Sequence, residues 1–329
     1  MSGGTTLEYT KIFDREATDA RLRNSIVKQR VRLGDRRDGL VYLYTDDIEL
    51  TVNVGLATGR PILLRGPSGS GKSSLARNVA LRMGRRYYEE VITSKTQYTD
   101  LLWRFDLLRR FRDAGANTLK PDAEYIEPRA FWWAFDPELA GRRGLKLLQT
   151  PEQGPVDPSP TLGEEAVILI DEIDKADPDV PNNLLVTIGS SQFTVPYLND
   201  LLVEAKPKKP EKEAVPPLVF ITSNDERDLP NAFLRRCVTL ELAAPSRERL
   251  MDIAAEHFGG DPEQRQEYKN IVDALYPELD SGAESSTAEY LDTVRACKQL
   301  NVKPKPGDPA WDTIVRITVR KATSARAGA

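Results

Sequence analysis

Three continuous apolar runs, each ending in polar residues, divide this chain. They are Pro61-Ile62-Leu63-Leu64, Ala166-Val167-Ile168-Leu169-Ile170 and Leu218-Val219-Phe220-Ile221. Unbroken runs of this length suit strands buried on both faces of a parallel sheet. Helical segments are predicted between them. Thr45-Asp46 offers an N-cap to Asp47–Thr58, which Gly59 closes, and Leu75–Ala80 follows the first run. Asp100–Ala114 carries Leu101, Leu102, Phe105, Leu108 and Phe111 at helical spacing, and Val180–Ile188 and Asn231–Cys237 are shorter helices. Tyr87–Ser94, Gln192–Val195 and Val238–Leu242 complete the strands. The alternation predicts an α/β fold in which helices sandwich a parallel sheet.

From Pro245 the pattern changes. Arg247–Phe258, Pro262–Tyr276, Ser286–Leu300 and Pro309–Lys321 are predicted as four helices separated by Gly, Pro and Ser breaks, a small all-α domain. The expected organisation is a polar extension over 1–39, an α/β domain over 40–244 and a helical domain over 245–329. In the first segment Arg21–Leu33 could form a docking helix. Two insertions interrupt the α/β domain, at about 115–163 and 190–217. The first is Pro-rich around an aromatic knot, Ala130-Phe131-Trp132-Trp133-Ala134-Phe135. The second holds the charged Lys206–Glu213 stretch, read as an exposed loop.

Composition narrows the chemistry. The 329 residues hold two cysteines (Cys237, Cys297) and one histidine (His257), too few for a disulfide framework, a zinc site or a histidine-based nucleophile pair. The formal net charge of −4 gives no overall pull toward nucleic acid. No window approaches the roughly 20 apolar residues that cross a bilayer, and the polar N-terminus lacks a signal core. The expected location is the cytoplasm.

The polar residues that end the apolar runs carry the candidate chemistry. Gly66-Pro67-Ser68-Gly69-Ser70-Gly71-Lys72-Ser73-Ser74 has the Gly-x-x-x-x-Gly-Lys-Ser spacing of a phosphate loop. Its glycines let backbone N–H groups turn inward around phosphate oxygens, and the helix start adds unpaired donors. Lys72 would reach the β- and γ-phosphates of ATP, with the Ser73 hydroxyl on Mg²⁺. Asp171 would hold Mg²⁺ directly or through water, and Glu172 would polarise the attacking water. Asn224, on the neighbouring strand, would orient that water or bind the γ-phosphate, or else cap a turn.

This ordered set, with Ile221–Arg236 as the closest run, resembles the AAA+ ATPases and, within them, the MoxR-like branch. Their Walker A and Walker B motifs correspond to Gly66–Ser74 and to Asp171-Glu172. The resemblance implies a P-loop NTPase core with a helical lid and a homo-oligomeric ring, usually hexameric, that hydrolyses ATP. It also implies a trans-acting arginine finger at Arg236, with Arg235 as understudy, although both could simply cap a helix C-terminus. The chain departs from the branch where the third lid helix opens Ser285-Ser286-Thr287 without a sensor arginine. Arg326 looks similar to one but stands three residues from the end. MoxR-like relatives serve as chaperones for von Willebrand-factor-A-type or multi-component systems, so a protein partner or effector is implied. An ATP-dependent switch with slow turnover is the alternative, and a nucleic-acid motor the less favoured one. Trp132 and Trp133 could contact a partner or seal the insertion onto its own domain.

Overall fold

The computed structural model describes residues 9–19, 39–143, 157–159, 163–205, 215–277 and 286–323. The expected helix over Arg21–Leu33, the Lys206–Glu213 loop and Arg326 lie outside these residues. Helix α1 (Asp46–Thr58) starts at Thr45, whose hydroxyl accepts the Ile48 N–H, and ends at Gly59 with φ +65°. Strand β1 (Ile62–Arg65) and helix α2 (Lys72–Met83) flank the glycine-rich loop, and β2 (Arg86–Val91) follows. Between β2 and β5 lie β3 (Trp103–Phe105), α3 (Leu107–Gly115), β4 (Ile126–Pro128), α4 (Ala130–Phe135) and α5 (Pro137–Gly141). Next come β5 (Ala166–Asp171), α6 (Asp179–Ser190), and the hairpin of β6 (Gln192–Val195) and β7 (Leu201–Glu204). Strand β8 (Leu218–Ser223), the short α7 (Asn231–Leu234) and β9 (Val238–Glu241) close the α/β part. Helices α8 (Arg247–Phe258), α9 (Pro262–Leu275), α10 (Thr287–Leu300) and α11 (Pro309–Thr323) end the chain.

The main sheet has the order β2-β5-β8-β1-β9 and is flanked by helices. Parallel pairing sets Val91 opposite Asp171, Ile170 opposite Ile221, and Arg65 opposite Ser223. The C-terminal ends of β1, β5 and β8 therefore share one edge. All six residues of β5 and of β8 are buried, as the unbroken apolar runs require. One face of the sheet, through Leu63, Ile168, Ile170, Val219 and Ile221, packs against the aromatic knot and the β6–β7 hairpin.

The contacts divide the chain into two compact units. One holds residues 44–65 and 75–240 with 9–19, and the other holds 39–43, 66–74 and the segment from 241 onward. The second unit has its own core of Leu250, Ala254, Tyr268, Ile271, Val272, Tyr290, Val294 and Trp311. No helix among the described residues is long and apolar enough to cross a membrane.

One expectation fails outright. Asp100–Ala114 is not a single helix: a 3₁₀ turn over Tyr98–Leu101 leads into β3, and α3 starts afresh after Asp106, whose carboxylate accepts the Arg109 N–H at 2.9 Å. Leu101 and Leu102 are buried, and Phe105 stacks on Tyr197 at 4.4 Å. Leu107, Leu108 and Phe111 face solvent instead. The helical spacing joined residues of a turn, a strand and a separate helix. The tryptophan pair is also resolved. Trp132 and Trp133 are buried, the Trp133 indole N–H donating to Pro128 O at 3.2 Å, so they seal the insertion onto its own unit.

Candidate functional site

In the loop Gly66–Ser74, backbone conformation dictates the glycines. Gly66 has φ +135°, and a Cβ there would lie 2.1 Å from Leu242 O; Gly69 has φ +80°, and its Cβ would lie 2.8 Å from Ser286 Oγ. Only glycine fits either position. Ser68 is exposed at the tip, and Ser70 N donates to Pro67 O at 3.4 Å. Lys72 opens α2, is buried, and donates from Nζ to Gly66 O at 2.7 Å and Pro67 O at 2.8 Å. Its ammonium thus lies folded across its own loop. Ser70 Oγ is enclosed and has no hydrogen-bond partner among the described residues. An enclosed hydroxyl without a partner, in a loop whose glycines hold the backbone open, fits an arriving phosphate, which offers it an acceptor. Ser73 and Ser74 follow in the first turn of α2. Two further elements border the loop. Tyr42 lies 3.4 Å from where a Cβ on Gly71 would stand, and burial pushes its hydroxyl well above the usual tyrosine range. The N-terminus of α10 lies alongside, with Thr287 N donating to Gly69 O at 3.3 Å.

A second set of groups sits on the C-terminal edge of the sheet. Asp171 is the last residue of β5, and Glu172 follows with φ +63° and ψ +48°, a left-handed conformation uncommon for a residue with a side chain. Thr222 on β8 holds both. Its hydroxyl accepts the Glu172 N–H at 2.8 Å and donates to Asp171 Oδ1 at 2.6 Å. The Glu172 carboxylate accepts from Lys175 Nζ at 2.8 Å, and this bond raises the lysine pKa. Asp174 is buried, and its Oδ2 accepts the Asn224 N–H at 3.1 Å and the Glu226 N–H at 3.0 Å. Asn224 is thus fixed through its backbone at the end of β8, while its carboxamide makes no hydrogen bond among the described residues. Arg65 Nε donates to Asp225 Oδ1 at 2.8 Å, tying the end of β1 to the same turn.

Of the four expected catalytic residues, Glu172 and Asn224 share this edge, whereas Arg235 and Arg236 occupy the opposite one. They precede Val238, whose N–H donates to Pro61 O at the start of β1 at 2.8 Å. Both side chains are exposed and neither has an ion-pair partner among the described residues. Four residues were missed from sequence: Thr222, Asp174, Lys175 and Arg60. Thr222 left a signal as a polar residue directly after an apolar run, and Asp174 as the second acid of Asp-Glu-Ile-Asp. Nothing in the sequence distinguished Lys175 or Arg60.

The profile of the AAA domain, dynein-related subfamily, matches residues 61–237, more than half of the chain. This chain belongs to the AAA family. The matched span of the AAA domain begins just before β1 and ends one residue after Arg236, so it takes in every residue of the site described above except Tyr42, Arg60, Val238, Leu242, Ser286 and Thr287. No curated protein matches the chain. Among solved structures it is similar to NtrX from Brucella abortus in complex with ADP, at 13% identity and a TM-score of 0.47, covering 91% of this chain. It spans 57% of that NtrX chain. It is also similar to RuvB from Thermotoga maritima, at 14% identity and a TM-score of 0.41, covering 84% of this chain and 67% of that one.

Proposed function

We propose that this AAA protein binds ATP with Mg²⁺ and hydrolyses it, working in the cytoplasm as a homo-oligomeric ring, hexameric as in the MoxR-like branch. The nucleotide cycle would activate or remodel a protein partner, such as a von Willebrand-factor-A-type protein or an effector. The observation that carries the ATPase reading is the Thr222 hydroxyl, which locks Asp171 and Glu172 together on the edge where β1 runs on into Gly66–Ser74. Open α/β sheets bind their ligands outside the carboxyl ends of the strands.

In this reading Lys72 exchanges the Gly66 and Pro67 carbonyls for the β- and γ-phosphates. Ser73 and Asp171 would hold Mg²⁺, which when bound supplies charge neutralisation between phosphate oxygens. Glu172 takes the proton from water, and the unengaged Asn224 carboxamide orients that water. Arg236, with Arg235 as its understudy, would serve the γ-phosphate of a neighbouring copy. The solvent-facing Leu107, Leu108 and Phe111 of α3 support a protein partner, since contiguous apolar surface marks an interaction site. Nucleic acid is not favoured: Arg110 is paired with Asp122 and Arg109 lies over the Tyr125 ring.

A second reading, a switch with slow turnover, is favoured by one specific contact. Lys175 holds the Glu172 carboxylate at 2.8 Å, so the base must leave a cation before it can take a proton. Two variants test the main proposal. Lys72→Ala abolishes tight ATP binding, and Glu172→Gln retains ATP while slowing hydrolysis by ~10²-fold or more, the usual contribution of a general base. Equal ATP affinity in Lys72→Ala and wild type would refute the loop assignment. Fast turnover by Glu172→Gln would move the base elsewhere.

A further inference from the structure

Residues 235–237 form the turn between α7 and β9, and their carbonyls point where a helix leaves its last acceptors unsatisfied. Arg60 satisfies all three. Its Nη2 donates to Arg235 O at 2.7 Å and to Cys237 O at 2.7 Å, and its Nε donates to Arg236 O at 3.2 Å. The turn is also anchored on both sides, by Phe233 and Cys237, which are buried. Arg235 and Arg236 therefore carry exposed, unpaired guanidinium groups on a braced backbone.

The charge at this place is as telling as the geometry. Arg60, Arg235 and Arg236 bring three permanent cations together, and among the described residues none of them has an ion-pair partner. Like charges gathered without a counter-ion repel one another, so the cluster lowers its energy when an anion arrives. The carboxylates Asp171 and Glu172 lie at the other edge of the same sheet, and the strand between, β1, is four residues long, about 13 Å. Neither Asp171 nor Glu172 therefore serves this cluster as a counter-ion.

We propose that Arg60 is a positioning residue: it clamps the Arg235–Arg236 turn so that the arginine pair is presented to the nucleotide of a second copy of this chain. This rests on the reading of Arg236 as an arginine finger. The clamp depends on the planar fork of guanidinium, since the compact ammonium of lysine cannot reach three carbonyls splayed around the turn.

The test uses the full-length chain and ATP-Mg²⁺. Arg60→Ala and Arg60→Lys are expected to bind ATP within about twofold of wild type. Both should hydrolyse it about 10- to 100-fold more slowly, the scale for a displaced catalytic group. Mixing decides which side of the interface Arg60 serves. Arg60→Ala mixed with Lys72→Ala should regain activity, because the first brings a sound loop and the second a sound finger. Arg60→Ala mixed with Arg236→Ala should not regain it, both being deficient in the finger. Recovery in that second mixture, with mixed oligomers verified by sizing, overturns the clamp by assigning Arg60 to its own loop. Wild-type turnover by Arg60→Lys overturns it too, since charge alone would then suffice. Should Arg60→Ala fail to fold, Arg60→Lys takes its place in both mixtures. Full turnover by Arg236→Ala alone would instead remove the finger reading on which the clamp rests.

Discussion

Thr222→Val is the sharpest probe of the carboxylate edge. Valine keeps the shape and replaces the hydroxyl with a methyl group, so two hydrogen bonds vanish without a cavity. The Glu172 N–H loses its acceptor at 2.8 Å, which costs about 1–3 kcal/mol for a donor left unsatisfied. Asp171 Oδ1 loses a donor at 2.6 Å, a bond to a charged group that contributes about 1.5–3 kcal/mol. A loss of roughly 2.5–6 kcal/mol in stability is expected, read as a lower urea midpoint by tryptophan fluorescence. Trp103, Trp132 and Trp133 lie in the same unit and report on it. The effect on turnover is separable. Glu172 stands at φ +63°, a conformation that costs about 1 kcal/mol or more and persists only when its surroundings hold it. Without the Thr222 acceptor it relaxes, and a shift of about 1 Å at a base can cost up to ~10²-fold in rate. Phosphate release should fall by that order at saturating ATP, and Thr222→Ser should restore it. A Thr222→Val variant with wild-type turnover, or a serine variant no better than valine, would refute the reasoning.

Three further outcomes are expected. Gly66→Ala forces a Cβ to 2.1 Å from Leu242 O at φ +135°, so it should yield a protein with no measurable ATP affinity by calorimetry and a lower urea midpoint. Burial pushes the Cys237 thiol up to about 12 and the Cys297 thiol up to about 11. Both pKa values lie above that of an unfolded cysteine, so thiolate is scarce in the fold at pH 8, and a maleimide should label neither until urea unfolds the chain. Leu108→Glu, at a position 77% exposed, should leave the urea midpoint within about 0.5 kcal/mol of wild type. A large drop would mean that α3 packs against this chain rather than awaiting a partner.

The strands were legible because both faces of β5 and β8 are buried, which leaves no room for polar residues within Val167–Ile170 or Leu218–Ile221. The helices from Arg247 onward were legible through their caps, Ser246 and Asp261 each accepting an N–H in the first turn. The stretch Asp100–Ala114 was not. Its apolar residues serve three purposes: Leu101 is core, Phe105 stacks on a residue nearly a hundred positions away, and Leu108 faces solvent. Periodicity cannot separate these, since each purpose depends on tertiary context. The candidate site divides in the same way. Lys72, Asp171 and Glu172 stand out because phosphate chemistry needs those residue types at those places. Arg60 does not, because an arginine before a strand has many ordinary uses, and only the three carbonyls that meet it in the fold single it out.

The sheet's two edges constrain how such a chain could work. A folded copy keeps Asp171, Glu172 and Asn224 on the C-terminal edge and Arg235 and Arg236 on the N-terminal edge, with β5 and β8 buried throughout between them. Those strands cannot bend to bring the arginines to the carboxylates, because interiors packed this closely do not deform continuously. If the charge of Arg235 and Arg236 contributes to hydrolysis at all, it must arrive from another copy. The rate per subunit should then rise with protein concentration through the range in which the chain assembles. A rate per subunit that is independent of concentration, in a range where sizing shows monomer giving way to oligomer, would exclude any trans contribution. The base would then act without the Arg235–Arg236 pair, beside Lys175, which already holds it.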